Sequence, residues 1–456
     1  MGKCRKLLSL VEILVGLHQI AGAFYDTALL MLVHERSRSN STTAASRDQQ
    51  QGAISQFYMI YNLLLRLSPL LFTFFLAKLG DQKSRKITLW VPLLGYLVSR
   101  SLLLFVILFD LPLQVMFVTA VLNGLSGGFT AFWPGVMAVA SDTSSQEKRS
   151  IRLSRVELAY GVAGMVGSIA SGHLFIHLDI SHAQGAGLTA CSCVFYALSL
   201  VYSIFGLKPT QIGAGGDGSL LDQGEQENNV RVPRNTAWSQ CQDESSMLLP
   251  NQNNARIQGI LGGNVPVDKI TLSLLFTAGV LYGLGVTGGV DVLPIFVLKD
   301  PLNWNAVWVG YGNAMGYAIF LTSFLGVCAS SKYLSDTSLI VLGMASFSIG
   351  MLIMAFTKWT FLYFVARVVM MFALIPLPTI RSVISKQMKD NSYGKLFAIL
   401  EILLTVTGVI ASIIFLTIYK STKDWYPSIS FGLSSVISCL GIIPMIFVER
   451  RLQDVL

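Results

Sequence analysis

Twelve apolar runs follow one another along the chain, the first at 7–33 and the last at 429–448. An α-helix of about 20 residues crosses a hydrocarbon core of about 30 Å, and inside lipid each backbone N–H and C=O must bond within the segment. Hydrophobic residues make up 53% of the chain and charged residues 13%, about half the usual charged share. A single water-soluble core does not absorb that much apolar surface. The expected fold class is an all-α polytopic membrane protein with twelve transmembrane helices. Residues 208–269 interrupt the series. They are rich in Gly, Asn, Gln, Asp and Ser, as in Gly213-Ala214-Gly215-Gly216-Asp217-Gly218-Ser219, and have no sustained apolar period. A disordered linker is expected there, between a six-helix half at 1–207 and another at 270–456. Two six-helix halves that rock about a midplane site are built this way.

Lys3, Arg5 and Lys6 before an apolar run, with Ala21-Gly22-Ala23 after it, have the outline of a secretory signal. Glu12 interrupts that run, however, and it continues to Val33, so a retained first span is expected. The formal net charge of +8 does not point to nucleic acid. Most of the 33 Lys and Arg fall in the two tails and the even-numbered connections. The positive-inside rule then places both termini and the linker in the cytoplasm. The sequon Asn40-Ser41-Thr42 falls in the first outer loop, where a glycan can be attached to Asn40. None of the six cysteines lies in an expected outer loop. Within the linker, Glu244-Ser245-Ser246-Met247-Leu248-Leu249 resembles an acidic dileucine sorting signal read by clathrin adaptors. Its other reading is an apolar blip. Plasma membrane is the expected location, with endosomal or lysosomal membrane as a further compartment.

Ionisable residues within spans are costly in lipid and belong at a bundle interior or a water-filled cavity. Glu12, His18, Asp26, Arg66, Arg100, Glu157, Asp291, Arg367, Arg381 and Glu401 are of this kind. Glu157 is a carboxyl group among apolar and small residues, a place suited to carrying a proton; an ion pair with Arg152 or Arg155 at a helix end is the alternative. Arg381 follows Pro376-Leu377-Pro378, where the prolines must bend or break the helix. Its planar fork suits carboxylate or phosphate, unless it anchors to a lipid headgroup. Tyr25 and Asp26 in the first span are weaker substrate-binding candidates. Small residues recur at helical spacing, Gly124 with Gly128, Gly164 with Ser168 and Gly172, and Gly285 with Gly289, and such faces let helices approach closely. No metal-ligand cluster, nucleophile motif or phosphate-binding loop stands out. Neither enzymatic activity nor a cofactor is expected.

The connection Gly80-Asp81-Gln82-Lys83-Ser84-Arg85-Lys86 resembles the signature loop of the major facilitator superfamily. Asp81 there accepts bonds from a helix end while Arg85 and Lys86 anchor at the surface, a conformational latch. Gln82 and Ser84 depart from the usual pattern. The stretches Leu122-Asn123-Gly124-Leu125-Ser126-Gly127-Gly128-Phe129, Ala170-Ser171-Gly172-His173-Leu174-Phe175, Val309-Gly310-Tyr311-Gly312 and Thr379-Ile380-Arg381-Ser382 are similar to solute carrier family 46. The resemblance covers nearly all of the membrane part and is nearest to the thymic stromal branch. It implies the major facilitator fold and a proton-coupled symporter of anionic organic solutes such as muropeptides, cyclic dinucleotides or antifolates. It also implies that Glu157 couples the proton and Arg381 lines the cavity. Val286 and Gly128 stand where the folate branch has a histidine and an aspartate, and that branch's outer-loop cysteines are missing, so folate is a poor first guess. The alternative is a non-transporting scaffold or receptor that signals through the linker.

Overall fold

The computed structural model describes residues 11–39, 44–82, 86–142, 149–178, 185–207, 269–330, 334–386, 393–423 and 425–454. Ten stretches in it are long and apolar enough to cross a membrane, from Val11–Ser37 to Ile429–Arg451. Two further helices, Ala44–Gln82 and Ala306–Ser330, take the second and eighth places in chain order. The fold is thus the expected all-α bundle of twelve spans in two sets of six. Large apolar side chains such as Phe205 and Phe361, 82% and 77% exposed, point outward, as a surface solvated by lipid tails requires. Residues 208–268, Asn40, Arg85, Glu244, Leu248 and Leu249 lie outside the described residues, as does the side chain of Asp81.

A repeat that the sequence hides is plain in the packing. The first span packs on the fifth and sixth and the third on the sixth; likewise the seventh packs on the eleventh and twelfth and the ninth on the twelfth. Two spans are broken at specific residues. In the fourth, Val115–Leu125 gives way to Gly128–Asp142 through Gly127 (φ +91°) and Gly128 (φ +48°), a left-handed backbone that glycine adopts at least cost. In the tenth, Thr360–Val369 ends and a new segment, Pro376–Lys386, begins at proline, whose missing N–H is harmless in a first helical turn. The carbonyls freed between the segments are met by hydroxyls of neighbouring spans. Ser346 donates to Val369 O at 2.6 Å, while Thr322 and Ser323 each donate to Met371 O at 2.9 Å. Bonds from adjacent helices are what make irregular backbone tolerable at membrane depth. Arg381 therefore rides on a short, separately aimed helix.

The halves meet along two pairs of spans, the fifth (Arg149–His177) with the eighth and the second with the eleventh (Tyr393–Thr422). On the first seam the small-residue face of the fifth span is used closely. Gly164 lies under the ring of Tyr317, and Gly172 lies against the backbone of Ala306 and Val307. A Cβ at position 172 would sit 2.6 Å from the Ala306 carbonyl oxygen and 2.9 Å from Val307 Cα. Backbone cannot swing aside as a side chain can. Gly172→Ala is expected to lower stability by about 1–3 kcal/mol, the usual cost of overpacking, read as a lower melting temperature of the purified protein. An unchanged melting temperature would show that the seam yields freely. On the second seam, Ser55 Oγ donates to Leu416 O at 2.9 Å and Lys420 Nζ donates to Gln56 Oε1 at 3.2 Å. These residues sit early in the second span and late in the eleventh, on the membrane face remote from the chain termini. The two halves are bonded to each other on that face.

Candidate transport site

Three charges from three spans lie in one neighbourhood. Glu157 on the fifth span is exposed. Arg381 on the second segment of the tenth and Glu401 on the eleventh form an ion pair, Nη2 to Oε2 at 2.6 Å, with side chains 37% and 63% exposed. Glu157 belongs to the first half and the other two to the second, and the charge of Arg381 is felt at Glu157. The guanidinium fork is therefore shared between one carboxylate it touches and another across the cleft. An incoming anion competes with both. The sequence brings Glu157 and Arg381 forward as separate candidates but gives no sign that Glu401 holds Arg381. The two are 20 positions apart and on different helices.

Tyr25 and Asp26 are neighbours in sequence yet differ in exposure on the first span, Val11–Ser39. Tyr25 is 1% exposed, shares a hydrogen bond with Tyr61 at 2.8 Å, and carries the guanidinium carbon of Arg100 3.9 Å above its ring. Asp26 is exposed and feels the charge of Arg100. Arg100 itself is buried and stacks also on Tyr96 and Tyr196, at 4.7 and 5.3 Å. Such cation–π contacts offset part of its desolvation. His18 belongs to the same aromatic cluster, stacked on Phe132 at 4.3 Å.

A further ion pair joins the two halves. Arg66 on the second span donates through Nη2 to both carboxylate oxygens of Asp291 on the seventh span (Lys269–Val297), each at 2.9 Å. Its Nη1 donates to the Gly408 carbonyl on the eleventh. One side chain of the first half thus clamps two helices of the second. Lys86 Nζ donates to Ile204 O at 3.3 Å, which ties the start of the third span to the end of the sixth. Cys191, Cys193 and Cys439 are free thiols. Among the described residues no three His, Cys, Asp or Glu gather as a metal site would need.

The chain matches the Major Facilitator Superfamily profile over residues 39–339. It is 42% identical to solute carrier family 46 member 2 of the dog, covering 95% of this chain and 92% of that one. It is 28% identical to a chicken protein named lysosomal proton-coupled steroid conjugate and bile acid symporter, over 89% of this chain and 82% of that one. Among solved structures, a D-xylose-proton symporter superimposes with a TM-score of 0.65 over 95% of this chain and 96% of that one, at 12% identity.

Proposed function

The chain belongs to solute carrier family 46 of the major facilitator superfamily, a membrane transporter of small solutes, and from that premise we propose that it is a proton-coupled symporter of anionic organic solutes. One observation carries the reading. Glu157 of one half lies within the field of Arg381 of the other, which is paired with Glu401, so a proton and an anion have acceptors in one neighbourhood. In this mechanism Glu157 takes the proton. That frees Arg381 from one of its two negative neighbours and lets its fork meet the carboxylate or phosphate of the solute. Asp26 adds a further charge to the cavity wall. Asp81, Arg85 and Lys86 act as the latch, and the Lys86 bond to Ile204 O supports a tie at that place.

Muropeptides, cyclic dinucleotides and antifolates have the right charge. The name of the chicken relative, which specifies proton coupling, steroid conjugates and bile acids, supports the same class. With both termini and the 208–269 linker cytoplasmic, the face bonded through Ser55 and Lys420 is the outer one, and solute is released on the other. Asn40 is then an outer-loop glycan site. Glu244, Leu248 and Leu249 are a clathrin-adaptor motif that distributes the protein between plasma membrane and endosomal or lysosomal membrane.

The test is uptake into proteoliposomes of a radiolabelled muropeptide or cyclic dinucleotide, with and without an inward proton gradient. A gradient of one pH unit supplies about 1.4 kcal/mol per proton, enough for about tenfold accumulation. Accumulation near that ratio is expected with the gradient and none without it. Equal uptake under both conditions overturns proton coupling.

A further inference from the structure

A cavity of about 80 Å³ lies inside the second half, between the seventh, eighth and tenth spans. Its walls include Val290, Pro294, Trp304, Asn313, Tyr363 and Arg367. Arg381 is fourteen positions further along the tenth span, on the separate segment Pro376–Lys386, and is not among the residues that line the cavity. Most of the wall is apolar or aromatic. A few convergent polar groups in such a wall are what orients a bound ligand.

The polar groups here are donors in excess of acceptors. Arg367 is only 9% exposed. Its Nε and Nη2 donate to Tyr363 Oη at 3.2 and 3.0 Å, and its guanidinium carbon lies 5.3 Å from the Tyr363 ring. Among the described residues no carboxylate lies within ion-pair distance of it, and its Nη1 has no hydrogen-bond partner. Nor does the carboxamide of Asn313. Tyr363 Oη accepts twice from Arg367, and its own proton has no acceptor among the described residues. A buried guanidinium held only by a neutral phenol is a costly arrangement. Arg100, the other buried arginine of the bundle, differs in being wrapped by three tyrosine rings and felt by Asp26.

We propose that Arg367, Asn313 and Tyr363 form a second anion-binding site that takes one small negative group, a carboxylate or a halide. The cavity has room for a single carboxylate, or for a halide with a water. If the occupant is the head group of a transported solute, the site rests on the symporter reading and is a second station along the tenth span. If it is a free halide, the site stands without that reading.

The experiment uses the full chain in lipid nanodiscs in a buffer free of chloride and carboxylates, with methanesulfonate as the counter-ion, and melting temperature is followed as acetate or chloride is titrated. A saturable rise is expected with at least one of the two. Arg367→Gln is expected to weaken the apparent affinity at least tenfold and Asn313→Leu severalfold, while Arg381→Gln keeps the wild-type value. Acetate without chloride assigns the site to carboxylate head groups, and chloride without acetate to a free ion. No saturable response, or one that Arg367→Gln and Asn313→Leu leave intact, overturns the proposal, as does a response lost in Arg381→Gln alone. Should Arg367→Gln not yield monodisperse protein, Asn313→Leu decides, because it keeps the charge and the branched outline of the side chain. Binding is read here without transport, so failure of the uptake test and failure of this site are separate results.

Discussion

Glu157→Gln is expected to abolish accumulation against a gradient while leaving the protein folded and able to equilibrate its solute. The amide keeps the shape and hydrogen-bonding span of the side chain but does not exchange a proton. With the carrier of the proton removed, a pH gradient of one unit no longer drives solute, and an accumulation ratio of about tenfold collapses to about one. Folding is expected to survive because Glu157 is exposed, and substitutions at exposed positions usually change stability by no more than about 0.5 kcal/mol. Counterflow, in which labelled solute exchanges for unlabelled solute with no proton gradient, distinguishes lost coupling from lost binding. Retained counterflow with lost accumulation is the outcome the mechanism requires. If Glu157→Gln still concentrates solute, the proton rides elsewhere, and Glu401→Gln becomes the informative variant because Glu401 is the other carboxylate that Arg381 meets.

Most of the architecture was legible in the sequence because the bilayer imposes it. Length and hydropathy of each run determine the spans, and Pro376 with Pro378 marks where the tenth span breaks, since proline lacks the donor a helix interior needs. Pairing was not legible. Arg66 and Asp291 stand out individually as charges within spans, but they are 225 positions apart and belong to different halves. No local rule links them. The same holds for Arg381 with Glu401. Tyr25 and Asp26 show a finer limit, because adjacent helical residues diverge by about a third of a turn. One had to face away from the cavity, and only the packing of Tyr61 and Arg100 on Tyr25 decides which. Asn313, Tyr363 and Arg367 likewise come from two spans, and only Arg367 carried a sequence signal, as a charge in an apolar run.

Asp291→Asn is expected to open the seam between the halves on the face remote from the termini. Arg66 reaches both oxygens of Asp291 at 2.9 Å, and their side chains are 27% and 11% exposed. Removing one partner of a buried pair commonly costs about 3–5 kcal/mol, because the other charge is left uncompensated. The partial exposure of Arg66 places the cost here at the lower end, about 3 kcal/mol. That penalty falls only on the conformation in which the second, seventh and eleventh spans meet. In the alternate conformation the pair is apart already. The equilibrium between conformations therefore shifts by about 150-fold, and a bundle that rests closed on this face rests open instead. Spin labels at positions 56 and 420, whose native side chains lie 3.2 Å apart, measure the change directly. The wild-type distance distribution is expected to be short, that of Asp291→Asn long, and that of Arg66→Asp combined with Asp291→Arg short again. Transport is expected to slow at least tenfold in the single variants, since a carrier trapped in one conformation cannot complete its cycle. A short distance retained in Asp291→Asn would mean that the helix contacts, including the Ser55 bond to Leu416 O, close the face without the ion pair. The clamp would then be a consequence of closure and not its cause.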